Sequence, residues 1–165
     1  FPSGEEKFPV TYVSQTDAAE FAKWVSAREK MSCRLPTENE WEFAARNGSQ
    51  QTVFPWGNDW RPDAGNVTTG RLAAVGSTAG DATLVGDLRD MLGSVSEWTS
   101  SPMKEYPGHP KKLTDEFKRD FVIRGSFAGE TQDLSKFAKW ILTRRRSYPP
   151  EYKAPFVGFR LACEP

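Results

Sequence analysis

The run Asp87-Leu88-Arg89-Asp90-Met91-Leu92-Gly93-Ser94-Val95-Ser96-Glu97-Trp98 decides how the rest of the chain is read. Two carboxylates, Asp90 and Glu97, flank a glycine-centred turn. Backbone carbonyls between them are free to face inward, and Trp98 can anchor the far end in a core. Acid, turn, acid and aromatic at this spacing fit a loop wrapped around a hard cation, which takes oxygen ligands. They also fit a surface loop with two solvated acids, and spacing alone leaves both readings open.

Around that run, 165 residues are one domain's worth of chain, enough for one real core. Six Trp and eleven Phe, set among 12 Pro and 13 Gly, describe a turn-rich domain whose core leans on large rings. The 22 basic and 22 acidic residues cancel, so no global field recruits nucleic acid or an acidic membrane surface. No apolar run approaches the ~18 residues of a membrane span. Nucleic-acid binding and membrane insertion are therefore not expected of this domain. The opening at Phe1 reads as a cut inside a longer protein, of which residues 1–165 would be the C-terminal part. Cys33 and Cys163 fit neither a zinc spacing nor a CxxC motif. A disulfide closing most of the domain and a pair of buried thiols both stay open, and so does the compartment.

In chain order, Phe8-Pro9-Val10-Thr11-Tyr12-Val13 is a short β-rich run. Ser14 with Asp17, or Asp17 with Glu20, offers a helix start, and Ala18, Phe21, Ala22 and Val25 recur at helical spacing to about Glu29. Cys33-Arg34-Leu35-Pro36 is extended, because the residue before a proline avoids the α region. Thr37 and Glu40 form a capping box for a second helix carrying Trp41, Ala44 and Ala45 and ending near Asn47-Gly48. Residues 49–86 read as turns tied down by Trp56 and Trp60, since so long an irregular stretch is uncommon in a compact domain. A polar loop over residues 104–118 carries the single histidine, His109. Phe121-Val122-Ile123 is a strand and Trp140-Ile141-Leu142-Thr143 is β-prone. In Arg144-Arg145-Arg146 alternation must send neighbours to opposite sides, so at least one arginine is expected to turn inward. Phe156-Val157-Gly158-Phe159-Arg160-Leu161-Ala162 closes the chain as a strand.

Five blocks then occur in a recognisable order: Pro9-Val10-Thr11-Tyr12-Val13-Ser14 with Asp17-Ala18; Arg34-Leu35-Pro36-Thr37-Glu38 with Glu40-Trp41-Glu42; Phe54-Pro55-Trp56-Gly57; the run from Asp90 to Trp98; and Gly158-Phe159-Arg160. Together they resemble the formylglycine-generating enzyme and sulfatase-modifying-factor family. The resemblance implies an α+β, C-type-lectin-like fold of the sulfatase-modifying-factor type. That fold has two helices near the N-terminus, short antiparallel strands and long irregular loops. It also implies one structural Ca²⁺, held by the Asp90 side chain, the carbonyls of Gly93 and Val95, and Glu97. The family's other calcium site keeps only Gly65-Asn66-Val67 here, because the segment supplying its second half is deleted between Thr69 and Val75. That site is expected to be missing.

Family chemistry carries over less well. Formylglycine generation resembles a copper-dependent oxidation run by two cysteines after an Arg-Gly-Gly-Ser block. Here the block is Arg124-Gly125-Ser126-Phe127, and Gly129 and Phe137 stand where the cysteines would. Soft Cu(I) needs thiolate ligands, so no copper is expected. The related ergothioneine-type sulfoxide synthases use several histidines for non-haem iron, and His109 alone cannot form such a set.

The resulting expectation is a non-catalytic module on this scaffold that binds an unknown protein or small ligand. Its ligand face would comprise Phe127, Glu130, Gln132, Asp133, Lys136, Trp140, Arg146 and Tyr148, flat rings and long polar groups typical of interface anchors. Similar domains sit at the C-terminal end of bacterial Ser/Thr kinases, and others are retroelement-diversified binding proteins. An enzyme with chemistry different from formylglycine generation is the remaining alternative.

Overall fold

A computed structural model of the chain describes residues 3–61, 63–110, 112–130 and 140–165. Helix α1 spans Gln15–Glu29 and α2 spans Glu38–Ala45, each opened by a full capping box, Ser14 with Asp17 and Thr37 with Glu40. These starts are local chemistry: the cap hydroxyl accepts from the third helical N–H and the acid there accepts from the cap N–H. Strands β1 (Ser32–Arg34) and β6 (Ala162–Glu164) pair antiparallel into a two-stranded sheet. The main sheet takes β2 (Ser96–Pro102), β3 (Phe121–Arg124), β4 (Arg146–Tyr148) and β5 (Val157–Phe159) in the order β4-β3-β2-β5.

Several expectations need correction. Strand β2 lies at the centre of the sheet, although Ser-Glu-Trp-Thr-Ser-Ser-Pro carries no apolar alternation to announce it. The strands are not all antiparallel, because β5 runs parallel to β2 with Glu97 opposite Gly158. The closing strand is two strands in two sheets. Residues 8–13 form no strand; Tyr12 takes a positive φ of 57° and is fixed by its N–H to the carbonyl of Ala154. The segment instead lies against β5, so closely that a Cβ at Gly158 would come within 2.6 Å of the Val10 carbonyl oxygen. Residues 140–143 form a turn, with the N–H groups of Thr143 and Arg144 both donating to the Trp140 carbonyl. Helix α1 buries Ala18 and Ala22 but leaves Phe21 exposed, where its ring meets Trp24 and Phe159.

Two apolar clusters lie on opposite sides of β2. One gathers Ala18, Leu35, Trp98, Ile123, Ala154 and Val157 between α1 and the sheet. The other gathers Trp41, Phe54, Met91, Leu92, Ile141 and Leu142 beneath the irregular half. Trp56 and Trp60 tie that half down as expected, with Phe54 stacked on Trp56 at 5.4 Å and Trp60 5.3 Å from Phe54. Strand alternation therefore sends Trp98 into one core and its neighbour Glu97 toward the other. The open question of the cysteines is answered by the β1–β6 ladder. Cys33 and Cys163 are directly opposite and joined as a disulfide.

Candidate functional site

The run that opens the sequence reading folds as a crossing point. Asp90, Gly93 and Ser94 all take positive φ, so the chain coils tightly and its carbonyls vary in direction. Gly93 cannot be replaced easily, because a Cβ there would collide with the backbone of Asn66. Its N–H donates to the Ser126 hydroxyl at 2.9 Å, and the Ser94 N–H donates to the Asn66 carbonyl at 3.1 Å. The loop is thus pinned by both the Gly65-Asn66-Val67 and Arg124-Gly125-Ser126-Phe127 blocks. Asn66 itself is spent within its own turn: its side chain donates to the Arg71 carbonyl and accepts from the Thr69 hydroxyl.

Glu97 is buried at the base of the loop. Both of its oxygens accept from Arg160, from Nη2 at 2.7 Å and Nε at 2.6 Å, and Trp41 Nε1 adds a third donor at 2.7 Å. Arg160 also donates to the carbonyls of Arg89 and Asp90. Burial opposes the Arg160 charge most strongly of any single influence, but Glu97, Asp90 and Asp81 together outweigh it and raise the pKa of the guanidinium. The Asp90 carboxylate accepts from the Gly76 N–H at 2.6 Å. A cavity of about 280 Å³ opens onto Asp90, Val95, Glu97 and Arg160. Among the described residues, no hydrogen bond across the loop is directed at the carbonyl of Gly93 or Val95. A further acid stands behind the loop. Asp81 is buried, accepts from the Leu92 N–H through Oδ2, and leaves Oδ1 without a partner. Burial pushes its carboxyl up to about 8, with Asp90 and Glu97 adding to the rise and the Leu92 N–H and Arg160 opposing it. Asp81 is therefore protonated at neutral pH, and the carboxylates of Asp90 and Glu97 face a single guanidinium, one positive charge short of balance.

The expected ligand face is partly assembled. Phe127 stacks on Phe156 at 4.5 Å, and Arg146 lies over the Phe127 ring at 5.4 Å. Glu130 is clamped by Arg146 at 2.8 Å and by Arg144, while Arg146 also donates to the Ser96 hydroxyl and the Gly125 carbonyl. Arg145 points the other way, to both oxygens of Glu38 at 2.6 and 2.7 Å. All three consecutive arginines therefore meet carboxylates, split by alternation as strand geometry requires. Trp140 is 69% exposed and so is no core residue. Tyr148 stacks on Tyr152 at 4.0 Å, and both pack, like Phe156, against the α1 core. Gln132, Asp133 and Lys136 lie outside the described residues, as does Phe137. Gly129 has a positive φ and packs on Gly70.

A family model, that of the sulfatase-modifying factor enzyme 1-like domain, matches residues 2–165. The chain belongs to that family. It is 34% identical over 168 residues to the inactive C-alpha-formylglycine-generating enzyme 2 of Bos taurus, covering 94% of this chain and 50% of that protein. It is 35% identical over 172 residues to hercynine oxygenase of Mycobacterium tuberculosis, covering 94% of this chain and 37% of that protein. Among solved structures, PvdO from Pseudomonas aeruginosa superposes with a TM-score of 0.74 at 25% identity, over 96% of this chain and 62% of that one. The fold is the C-type-lectin-like α+β architecture. The chain spans half the length of the bovine relative and less of the mycobacterial one.

Within the family frame, three residues of the centre were not anticipated from sequence. Arg160 was legible in principle, as the single charge inside the apolar run Phe156 to Ala162 and hence a candidate for a buried ion pair. Arg124 is the fully buried counterpart on the α2 side. It donates to Glu42 and to the carbonyls of Leu142 and Thr143, which is why residues 140–143 turn rather than extend. Asp81 gave no signal beyond a turn composition. Neither cysteine is available as a thiolate, since each is bonded to the other. Among the described residues no three His, Cys, Asp or Glu side chains converge as a metal-binding group.

Proposed function

We propose that this chain is a non-catalytic ligand- or protein-binding module on the sulfatase-modifying-factor scaffold, braced by one structural Ca²⁺. The observation that carries the first part is the disulfide: the only two cysteines of the chain are joined to each other at the β1–β6 ladder. Copper-dependent cysteine oxidation needs free thiolates. The charged groups at the Phe127 face are also spent on each other, since Glu130 is held by two arginines. The aromatic surfaces available for recognition are the stacked pair Phe127 and Phe156 and the exposed Trp140. A cavity of about 360 Å³ between Phe127, Phe156 and Leu72 gives the Phe127 face depth.

The donor set fits Ca²⁺. Asp90 supplies a carboxylate, Gly93 and Val95 supply carbonyls, and Glu97 retains one lone pair on Oε1 after Arg160 and Trp41 are satisfied. Waters would complete the six to eight oxygens, at about 2.3–2.6 Å, that calcium takes. A divalent charge there would offset the excess of carboxylate around Arg160. Its contribution is to stability; the residues it touches would perform no chemistry.

The module belongs, in this proposal, to a larger bacterial protein such as a Ser/Thr kinase, in which it would sense or bind. The relatives with oxygenase activity support the alternative of an enzyme with different chemistry. Incubation with a cysteine-containing sulfatase peptide and copper tests the loss of the family's cysteine oxidation: no aldehyde is expected, and aldehyde formation would overturn the proposal. A glycan and protein array then identifies the ligand. Trp140→Ala should abolish a captured interaction while changing stability by no more than about 0.5 kcal/mol, as for an exposed side chain. An intact interaction would place the binding face elsewhere.

A further inference from the structure

The loop joining β2 to β3, residues 103–120, encloses a second cavity of about 450 Å³. It lies at the far end of the hairpin from Ser96 and the Phe127 face, about 20 Å along β2 at the usual rise of a strand. The loop is closed at its neck, where the Met103 N–H donates to the Asp120 carbonyl at 2.8 Å. It is folded inward by the Leu113 N–H, which donates to the Glu105 carboxylate at 2.9 Å. Met103, Leu113 and the rings of Tyr106 and Phe117 give the cavity its apolar wall. Both rings are largely exposed, 54% and 43%, which is costly for apolar surface that nothing covers.

The charges around this cavity are unequal. Arg145 lines it, but its guanidinium is neutralised by Glu38 and donates to the Lys104 carbonyl. That fixed cation lies 4.5 Å from the centre of the Tyr106 ring, so one aromatic wall is already in place. Glu105 accepts from the Leu113 N–H, which with Lys112 and Lys118 nearby holds its pKa below the ordinary carboxylate value, and its single negative charge offsets only one of the two lysines that line the cavity. Lys104 and Lys112 remain. Both line the cavity, both are exposed, and among the described residues neither forms an ion pair. An occupant must therefore bring an apolar, preferably flat, body and a negative charge at the mouth.

We propose that this cavity is a binding site for a small aromatic carboxylate, its ring between Tyr106 and Phe117 and its carboxylate at Lys104 and Lys112. The volume suits a compact ligand rather than a folded partner, and the preset Tyr106–Arg145 stack reduces the ordering that binding requires. The site does not depend on the Phe127 face or on the calcium centre, so it stands or falls separately from them.

Titration of the whole chain with phenylacetate, followed by NMR, tests the assignment. Saturable shifts confined to residues 103–120 and Arg145 are expected at millimolar ligand. Phenylacetamide, the neutral isostere, should bind at least about fivefold more weakly, as should phenylacetate to the Lys104→Gln/Lys112→Gln double variant, the scale of a solvent-screened charge contact. Both lysines are exposed, so the variant should melt with the parent. Absence of saturation, equal binding of acid and amide, an unaffected double variant, or shifts centred on Phe127 would each overturn the proposal.

Discussion

Glu97 and Glu130 are each clamped by arginine, and they differ in what surrounds the clamp. Glu97 sits at the base of the loop of residues 90–98, with Arg160 on both oxygens, Trp41 Nε1 on one, and a cavity that Asp90 and Val95 also line. Glu130 is almost as covered, its side chain 9% exposed against 5% for Glu97, but it is shared between Arg146, which is 17% exposed, and Arg144, which is 48% exposed. The first arrangement joins three distant parts of the chain through buried charge. The second ties one covered and one half-exposed arginine to a single carboxylate. A buried pair broken on one side leaves an uncompensated ion in a low dielectric, whereas a half-exposed partner such as Arg144 falls back on water. In the function proposed above, the first region maintains the fold and the second presents the ligand face.

The largest effect should follow from Glu97→Ala, which strands Arg160 and unpartners the Trp41 indole N–H. A loss of about 3–5 kcal/mol is expected in urea denaturation; a loss below about 1 kcal/mol would erase the distinction between the two clamps. Next is calcium withdrawal. At an ion concentration near 100 times Kd, binding contributes about 2.7 kcal/mol, so EDTA should lower Tm measurably. An unchanged Tm, with no calcium in the purified protein, would remove the ion from the centre. Glu130→Gln should cost less, about 1–2 kcal/mol, because Arg146 keeps the Ser96 hydroxyl and the Gly125 carbonyl. A cost matching that of Glu97→Ala would show that the Glu130 clamp also maintains the fold.

The smallest effect concerns acid, and it calibrates the other three. Hydrogen bonds from Lys153 hold the Asp17 carboxyl at about 2, and those from Arg34 hold Glu40 at about 2. Both values are depressed on folding, so their stabilisation is fully present above the ordinary carboxylate range and is lost as pH falls through about 2. Asp17→Asn and Glu40→Gln should therefore flatten the fall in stability below about pH 4.5. Variants with an unchanged acid limb would place the acid sensitivity at the interior carboxylates instead.

Legibility followed sequence distance. Both helix starts were readable because a capping box is complete within four residues, and the aromatic ties at Trp56 and Trp60 were readable because little else there could form a core. The proposed donor positions Asp90, Gly93, Val95 and Glu97 came from the family resemblance. Their surroundings could not come from it, since Trp41, Asp81 and Arg160 approach from three other segments. Residues 140–143 were misread for the same reason. Trp-Ile-Leu-Thr has strand propensity, but the buried Arg124 guanidinium takes the Leu142 and Thr143 carbonyls and holds the segment as a turn.

The sequence by itself determined the α+β class, the two helices, the family and the absence of spare cysteines beyond two, because these rest on local patterns and on residue identity. Only the tertiary structure decided that Cys33 meets Cys163, that β5 runs parallel to β2, and that three consecutive arginines divide between Glu38 and Glu130. Each of those outcomes depends on which distant groups arrive at one place, and burial then fixes the strength of what they do to each other.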